Sequence, residues 1–438
     1  MSTKQAQIAE LAKAHPAWVF TTLHHLIDKA WLRTAYELTR KDGAPGIDGV
    51  TAADYEANLD QHLDDLLHRL KTGRYVAPPV RRAYIPKADG SQRPLGIPTF
   101  EDKVAQRAIM MLLEPLYEQT FLLVSYGVRP GRSAHQALRA LRDHIMDAGG
   151  RWILDLDIQR YFDTIEHRKL RAVLDQRVRD GVIRRLIDKW LNAGVLEEGN
   201  FFRRHDGTPQ GGVISPLLAN IFLHAVLDEW FVRDVVPRLK RRVALVRFAD
   251  DAVLVFEDFL DAIRVKAVLP KRFGKYGLQL HPTKTRLIDF RFQRPAGGRH
   301  PATQGTTFDF LGFTHVWGRS RRGKNVVYQR TAKDRYRRSL RAITDYCHRF
   351  RHRPVVEQQA RLRRMMTGHI AYYGITGNGR RLRWYTNRIY YIWYRWLARR
   401  SCSGGVGRLR YEVLRTRYPL PLPRIVHRYA AIGSEPVG

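Results

Sequence analysis

The chain has 438 residues, 44% of them hydrophobic, and carries a formal net charge of +34 with a pI near 10.6. That length allows two or three domains with a large core, and the charge points to a polyanionic partner. No apolar run reaches the ~18 residues a membrane helix needs, MSTKQAQIAELAKAH lacks the apolar segment of a secretory signal, and Cys347 and Cys402 alone make neither a disulfide framework nor a zinc finger, so a reducing, intracellular setting without a membrane partner is expected.

Residues 1–75 read as helical, interrupted by GAPGIDG over 43–49, where Pro45, Gly46 and Gly49 break both periodicities. VRRAYIPKADGSQRPLGIP, residues 80–98, reads as a β-hairpin turning at Asp89-Gly90. Val104, Ala108, Met111, Leu112 and Leu116 then recur at helix spacing. WILDLDI, residues 152–158, is a short apolar strand interrupted by two carboxylates, and 164–200 read as helical. Ser215-Pro216 opens a helix whose apolar stripe is Leu217, Leu218, Ile221, Phe222 and Ala225. VALVRFADDAVLVF, residues 243–256, predicts two strands around a tight turn, and 307–317 another short hairpin arm.

Beyond about residue 325 the pattern is helical and arginine-rich, and the composition shift near 320 is the clearest boundary. Residues 318–438 hold 29 Lys and Arg, 27 of them Arg, against 5 Asp and Glu, together with 16 aromatic residues. Arginine binds phosphate bidentately and stacks on bases, where lysine acts mainly as a point charge. Interleaved with aromatics, it suits structured or single-stranded RNA. Helical spacing alone would make most of those aromatics core.

Three carboxylates stand in apolar strand surroundings. Asp157 lies in LDLDIQRYF, and Asp250-Asp251 in VRFADDAVLVF. A carboxylate at the end of a buried strand is costly unless something pairs it, and Mg²⁺ accepts a few carboxylates together with substrate phosphates. Two ions about 3.5–4 Å apart can stabilise both the attacking and the leaving oxygen of phosphoryl transfer. One strand supplying one aspartate and a facing hairpin supplying two would make such a site. An Asp-Asp pair by itself is more often a surface turn, and Asp155 shares a strand face with Asp157, so on chemistry alone either could be the ligand.

Taken in order, these segments resemble the reverse transcriptases encoded by group II introns, over about residues 35–427. GAPGIDGVT resembles the N-terminal extension motif, RRAYIPKADGSQRPLGIPTFEDKVAQRAI and SYGVRPGRSAHQAL the two fingers blocks, and WILDLDIQRYFDTIEH the palm block with the first catalytic aspartate. GTPQGGVISPLLANIFLH is similar to the Pro-Gln-Gly block, RFADD to the double-aspartate block, and GLQLHPTKTRL and FDFLGF to the last palm blocks. MMTGHIAYYGITGN and RYPLPLPRIVH resemble the thumb, or maturase, domain. Any one block is weak; eight in the right order are specific.

The resemblance implies an α+β, right-hand polymerase fold: an N-terminal helical extension over 1–75, fingers and palm around an antiparallel sheet over 76–317, and a basic helical thumb over 318–438. It selects Asp157 over Asp155, with Asp250 and Asp251 completing the catalytic set and the main chain at Ile158 joining the metal ligands. The implied cofactor is a pair of Mg²⁺ ions, with Mn²⁺ as a substitute. Phe162 resembles a steric gate that rejects the ribonucleotide 2′-hydroxyl; its plain alternative is a core ring. Lys87 and Arg93 would reach the triphosphate, or be a solvated hairpin tip. Gln210 and Gly211 resemble the loop against the incoming base, where glycine permits close approach, and Lys284 the lysine near the leaving pyrophosphate. Phe248 stands where the family more often has tyrosine, which removes only a hydroxyl.

The implied reaction is attack of a primer 3′-hydroxyl on the α-phosphorus of a dNTP, copied from template RNA, together with maturase binding of intron RNA. The implied partners are intron and template RNA, a DNA primer or target and dNTPs, in a bacterial cytoplasm beside the nucleoid, with a homodimer allowed. Cysteine and histidine pairs of an endonuclease domain are missing after the thumb, so no endonuclease activity is expected. The rival readings are a splicing factor with an inactive polymerase site, and a domesticated reverse transcriptase in phage defence or a CRISPR system. Three retained aspartates speak against the first, and the arginine-rich thumb against the second.

Overall fold

The computed structural model describes residues 3–86, 90, 92–147, 151–197, 200–202, 211–292, 306–320, 322–400 and 406–429. Contacts divide the chain into two compact units, Met1–Ala137 with Trp152–Leu287, and Leu138–Arg151 with Ile288–Gly438.

In the first unit, α1 (Thr3–Ala14), α2 (Lys29–Leu38), α3 (Ala52–Glu56) and α4 (Leu59–Thr72) precede a hairpin and the long α5 (Phe100–Glu118). Asp28 caps α2 by accepting from the Trp31 amide, and Thr51 with Asp54 forms a capping box on α3. Trp31, Leu32, Leu63 and Leu66 then share a buried core with Val104, Ala108 and Leu112. The expected hairpin is β1 (Val80–Pro86) against β2 (Gln92–Ile97), antiparallel from Arg81↔Ile97 to Pro86↔Gln92.

Helix α6 (Ala134–Asp147) passes from the first unit into the second, and the chain returns on β3 (Trp152–Leu156). The helical run expected over 164–200 is broken into α7 (Tyr161–Thr164), α8 (His167–Leu174) and α9 (Gly181–Asn192), followed by β4 (Val195–Glu197) and β5 (Asn200–Phe202). The break has a local cause. Asp180 is fully buried and caps α9 by accepting from the Val182 and Ile183 amides, and it also takes the His24 amide from far earlier in the chain. β4 extends the hairpin sheet by running parallel to β1, in the order β2-β1-β4-β5.

α10 (Ser215–Leu223) starts where Ser215-Pro216 predicted it, and continues as π-helix over His224–Glu229 and Phe231–Val235. β6 (Val243–Phe248) and β7 (Asp251–Phe256) form the expected tight antiparallel pair, followed by α11 (Phe259–Lys275) and β8 (Arg286–Asp289). The sheet order is β6-β7-β3-β8. β7 is central, which accounts for its unbroken buried run from Ala252 to Phe256.

The second unit holds the meander β9 (Phe308–Phe310), β10 (Phe313–Arg319) and β11 (Asn325–Thr331) and the helices α12 (Lys333–Arg349), α13 (Val355–Tyr373), α14 (Gly379–Leu397) and α15 (Arg408–Arg417). Ile343, Cys347, Leu362, Met366, Tyr385, Ile389 and Trp393 form its helical core. Arg142 Nε donates to the Val327 carbonyl at 3.2 Å and Gln329 Nε2 to the Leu138 carbonyl at 2.7 Å, tying the end of α6 to the meander. The composition shift near 320 falls in the turn joining paired strands, Arg319 opposite Asn325. By contacts the compact units part at 287/288, and the helices of 1–75 belong to the first unit. Both units mix helices with antiparallel pairs. Among the described residues no helix is long and apolar enough to cross a membrane.

Candidate active site at the ends of β3 and β7

The β3–β7 ladder runs from Trp152↔Phe256 to Leu156↔Ala252. Asp157 directly follows the end of β3, and Asp251 is the first residue of β7, so the antiparallel register brings both to the same end of the sheet. Phe248 pairs with Asp251, leaving Ala249 and Asp250 as the two residues of the turn. Such a turn favours a left-handed residue. Ala249 supplies it at φ 55°, and Arg160 and Val128 nearby are also left-handed at 47° and 53°. Non-glycine residues in this region are strained and concentrate at functional sites.

Burial holds the Asp250 carboxyl above the usual carboxylate range. The negative charge of Asp157 pushes the same way, while Arg93 and Arg247 oppose it. This couples three sequence-predicted residues, Asp157, Asp250 and Arg93, in one electrostatic neighbourhood. Asp155 takes a different partner, Arg286 Nη2 at 3.5 Å. Lys284 Nζ lies 3.4 Å from Asp157 Oδ2. The Asp157 carbonyl accepts from the His281 amide at 2.8 Å and from Thr285 Oγ1 at 3.3 Å.

Ile158 forms an isolated antiparallel bridge with Leu280, and its neighbours make the hydrogen bonds, Gln159 N to Gln279 O and His281 N to Asp157 O. In such a pair the Ile158 peptide groups face away from 279–281. Among the described residues no three His, Cys, Asp or Glu side chains are drawn together as a metal-binding group. The donor chemistry nevertheless fits a hard cation. Two carboxylates at one strand end raise each other's cost, one of them buried, and oxygen-only donors are those Mg²⁺ takes.

Phe162, on α7, packs edge-on against Tyr161 with ring centroids 5.4 Å apart, and the Tyr161 hydroxyl donates to the Ala219 carbonyl at 2.6 Å. Phe162, Val128, Pro216, Ala249 and Asp250 line one cleft. The ring is half-buried and meets the main core with one side while facing that cleft. Gly211 has φ +116°, and a Cβ there would lie 2.5 Å from the Gly96 carbonyl oxygen on β2. Only glycine fits that approach. Lys87 and Gln210 lie outside the described residues.

Sequence reasoning missed the support beneath the turn. Arg247 and Asp228 are both fully buried and form an ion pair, Nε to Oδ1 at 2.8 Å. The signal was available, since an arginine inside VALVRF must find a partner once that strand is buried. Its partner, nineteen residues earlier in LHAVLDEW, carries no motif.

A family model described as "Reverse transcriptase (RNA-dependent DNA polymerase)" matches residues 85–315. Protein YkfC of Escherichia coli K12 is 34% identical over 381 residues, covering 78% of this chain and 96% of that protein. The group II intron-encoded protein LtrA of Lactococcus lactis subsp. cremoris is 38% identical over 217 residues, 49% of this chain and 36% of LtrA. Nuclear intron maturase 4, mitochondrial, of Arabidopsis thaliana is 27% identical over 202 residues, 46% of this chain and 24% of that protein. The chain thus spans nearly all of one relative and about a third or less of the other two. The matched segment contains the paired strand ends that carry Asp157, Asp250 and Asp251, and the chain belongs to the reverse transcriptase family, the RNA-dependent DNA polymerases.

Proposed function

We propose that the chain is a group II intron reverse transcriptase and maturase, which extends a primer 3′-hydroxyl with dNTPs on an RNA template and binds intron RNA. The observation that carries the polymerase half is the meeting of Asp157 with Asp250 in the turn and Asp251 at the start of β7, at one end of the β3–β7 ladder. Asp157, Asp250, Asp251 and the Ile158 carbonyl hold two divalent ions, Mg²⁺ or in its place Mn²⁺. When bound, such ions supply charge stabilisation at the attacking and leaving oxygens.

The remaining roles belong to the protein's own groups. Arg93 on β2 holds the triphosphate together with Lys87, placing cationic donors where charge builds. Gly211 sets the main chain flat against the incoming base. Phe162 stands under the sugar and excludes a 2′-hydroxyl. Lys284, seated on Asp157, exchanges that carboxylate for the departing pyrophosphate. In the right-hand description, residues 76–317 supply fingers and palm behind the N-terminal extension of 1–75, and residues 318–438 the thumb. The thumb's 27 arginines and exposed Trp384 and Tyr391 bind RNA phosphates and unstacked bases.

The maturase half rests on the basic second unit and on the similarity to intron-encoded proteins. Primer extension on RNA with dNTPs and Mg²⁺ tests the polymerase half. Asp250→Ala is expected to abolish DNA synthesis and to leave RNA affinity within about twofold, because the thumb's phosphate contacts are untouched. Undiminished synthesis by that variant would remove the metal-site assignment.

A further inference from the structure

Building on the metal-site reading, we infer that Arg247 and Asn220 are positioning residues that set Asp250 by clamping the left-handed turn at Ala249. Arg247 is fully buried, and its guanidinium divides its donors between two tasks. One edge forks onto Asp228, through Nε to Oδ1 at 2.8 Å and Nη2 to Oδ2. Nη1 points the other way, to Asn220 Oδ1 at 2.9 Å and to the Ala249 carbonyl at 2.9 Å. Ala249 is the residue just before Asp250, and at φ 55° its backbone is one that L-residues adopt only under constraint.

Asn220 joins a second loop to the same point. Its Nδ2 donates to the Gly127 carbonyl at 2.7 Å while its Oδ1 receives Arg247. Gly127 lies so close to the turn that a Cβ on it would overlap the Ala249 amide nitrogen. The Arg247 main chain ties down that loop as well, its amide donating to the Val124 carbonyl at 2.8 Å and its carbonyl accepting from the Tyr126 amide at 2.8 Å. The turn is thereby held by the β6–β7 ladder, by Nη1 beneath the Ala249 carbonyl and by the Gly127 backbone at the Ala249 amide.

A merely structural role explains less of this. A buried ion pair contributes little to stability beyond what a well-packed apolar pair supplies. An apolar pair would fill the space between α10, the π-helical turn and β6, but it offers no donor to Ala249 or Asn220. The forked geometry is specific to arginine, since lysine carries a single ammonium. What the pair adds is a fixed orientation for the residue that follows Ala249, and that residue is Asp250.

The test replaces the pair as a unit, Arg247→Met with Asp228→Leu, so that no charge is left buried alone. Mn²⁺ is titrated into protein free of RNA and nucleotide, and free Mn²⁺ is read by electron paramagnetic resonance. The paired variant is expected to bind Mn²⁺ about 10–100-fold more weakly, the range for loss of groups that orient metal ligands, with its unfolding midpoint and RNA affinity near wild type. Weakening of less than about tenfold overturns the clamp. Should the paired variant not melt cooperatively, Arg247→Lys carries the same decision on the same threshold, because it keeps a cation opposite Asp228 and loses the fork. Asp250→Ala is titrated alongside. If it binds Mn²⁺ as wild type does, the metal-site reading itself fails. If it loses Mn²⁺ while the clamp variants do not, only the clamp fails.

Discussion

Asp102, Arg129, Arg177, Asp180, Asp228, Arg247 and Asp261 are buried charged side chains of the first unit. In the second unit the buried polar groups among the described residues are amides, hydroxyls and the imidazoles of His315 and His369. Its arginines lie over aromatic rings instead, Arg380 4.7 Å from the Trp384 ring centre and Arg388 5.2 Å from Tyr391. The difference follows from what each unit must do. A buried charge is costly and keeps its geometry only when every partner is in place, which suits holding reactive carboxylates. An exposed guanidinium on a ring stays solvated and mobile, which suits an irregular polyanion.

The largest expected effect tests the second unit's surface. Between 50 and 200 mM salt, RNA affinity should fall about 10³–10⁵-fold if six to ten phosphates are neutralised. A flat response in filter binding would break the contrast by removing the polyanion from the basic surface. Next in size is the primer-extension loss in Asp250→Ala. Several kcal/mol of ion-mediated stabilisation corresponds to about a thousandfold, with RNA binding held as the second unit's independent readout.

The two units should also respond to pH with opposite slopes. Burial raises the Asp102 carboxyl to about 6, against hydrogen bonds from Tyr75, Trp190 and Gln106 that favour its ionised form. The folded first unit thus binds that proton more tightly than the unfolded chain, and its stability falls as pH rises from about 4 to about 6, by on the order of 3 kcal/mol. Burial lowers His315 to about 3, so the second unit loses stability as pH falls below about 6.5. Amide hydrogen exchange resolved by unit measures both slopes. Asp102→Asn should flatten the first and leave the second, and equal flattening of both would contradict the assignment. The smallest effect is that of Trp384→Ala. One lost base stack is worth about 1–3 kcal/mol in single-stranded RNA affinity, and an unchanged affinity would return Trp384, which is 49% exposed, to the role of plain surface ring.

Much of the site could be read from local pattern. The apolar runs of VALVRFADDAVLVF predict two strands around a tight turn, and the structure pairs them with Ala249 and Asp250 in that turn. Asp155 and Asp157 could not be separated that way, because a period of two puts both on one face. Their partners separate them, Arg286 for Asp155 and Lys284 for Asp157, together with the influence of Asp157 on Asp250. The helical stretch expected over 164–200 is divided where Asp180 caps α9, and the same carboxylate takes the His24 amide 156 residues away, a bond that no window of local sequence contains.

By itself the sequence determined the polyanion partner, the strand pairs and the placing of acids at strand ends, since charge and periodicity are properties of neighbouring residues. Only the tertiary structure decided which carboxylate faces the turn, that Gly211 rests on Gly96, that Arg247 and Asp228 brace Ala249, and that the compact units part at 287/288. Those outcomes depend on which distant groups meet once water is excluded. A periodic pattern says that a face is buried, but not what it is buried against.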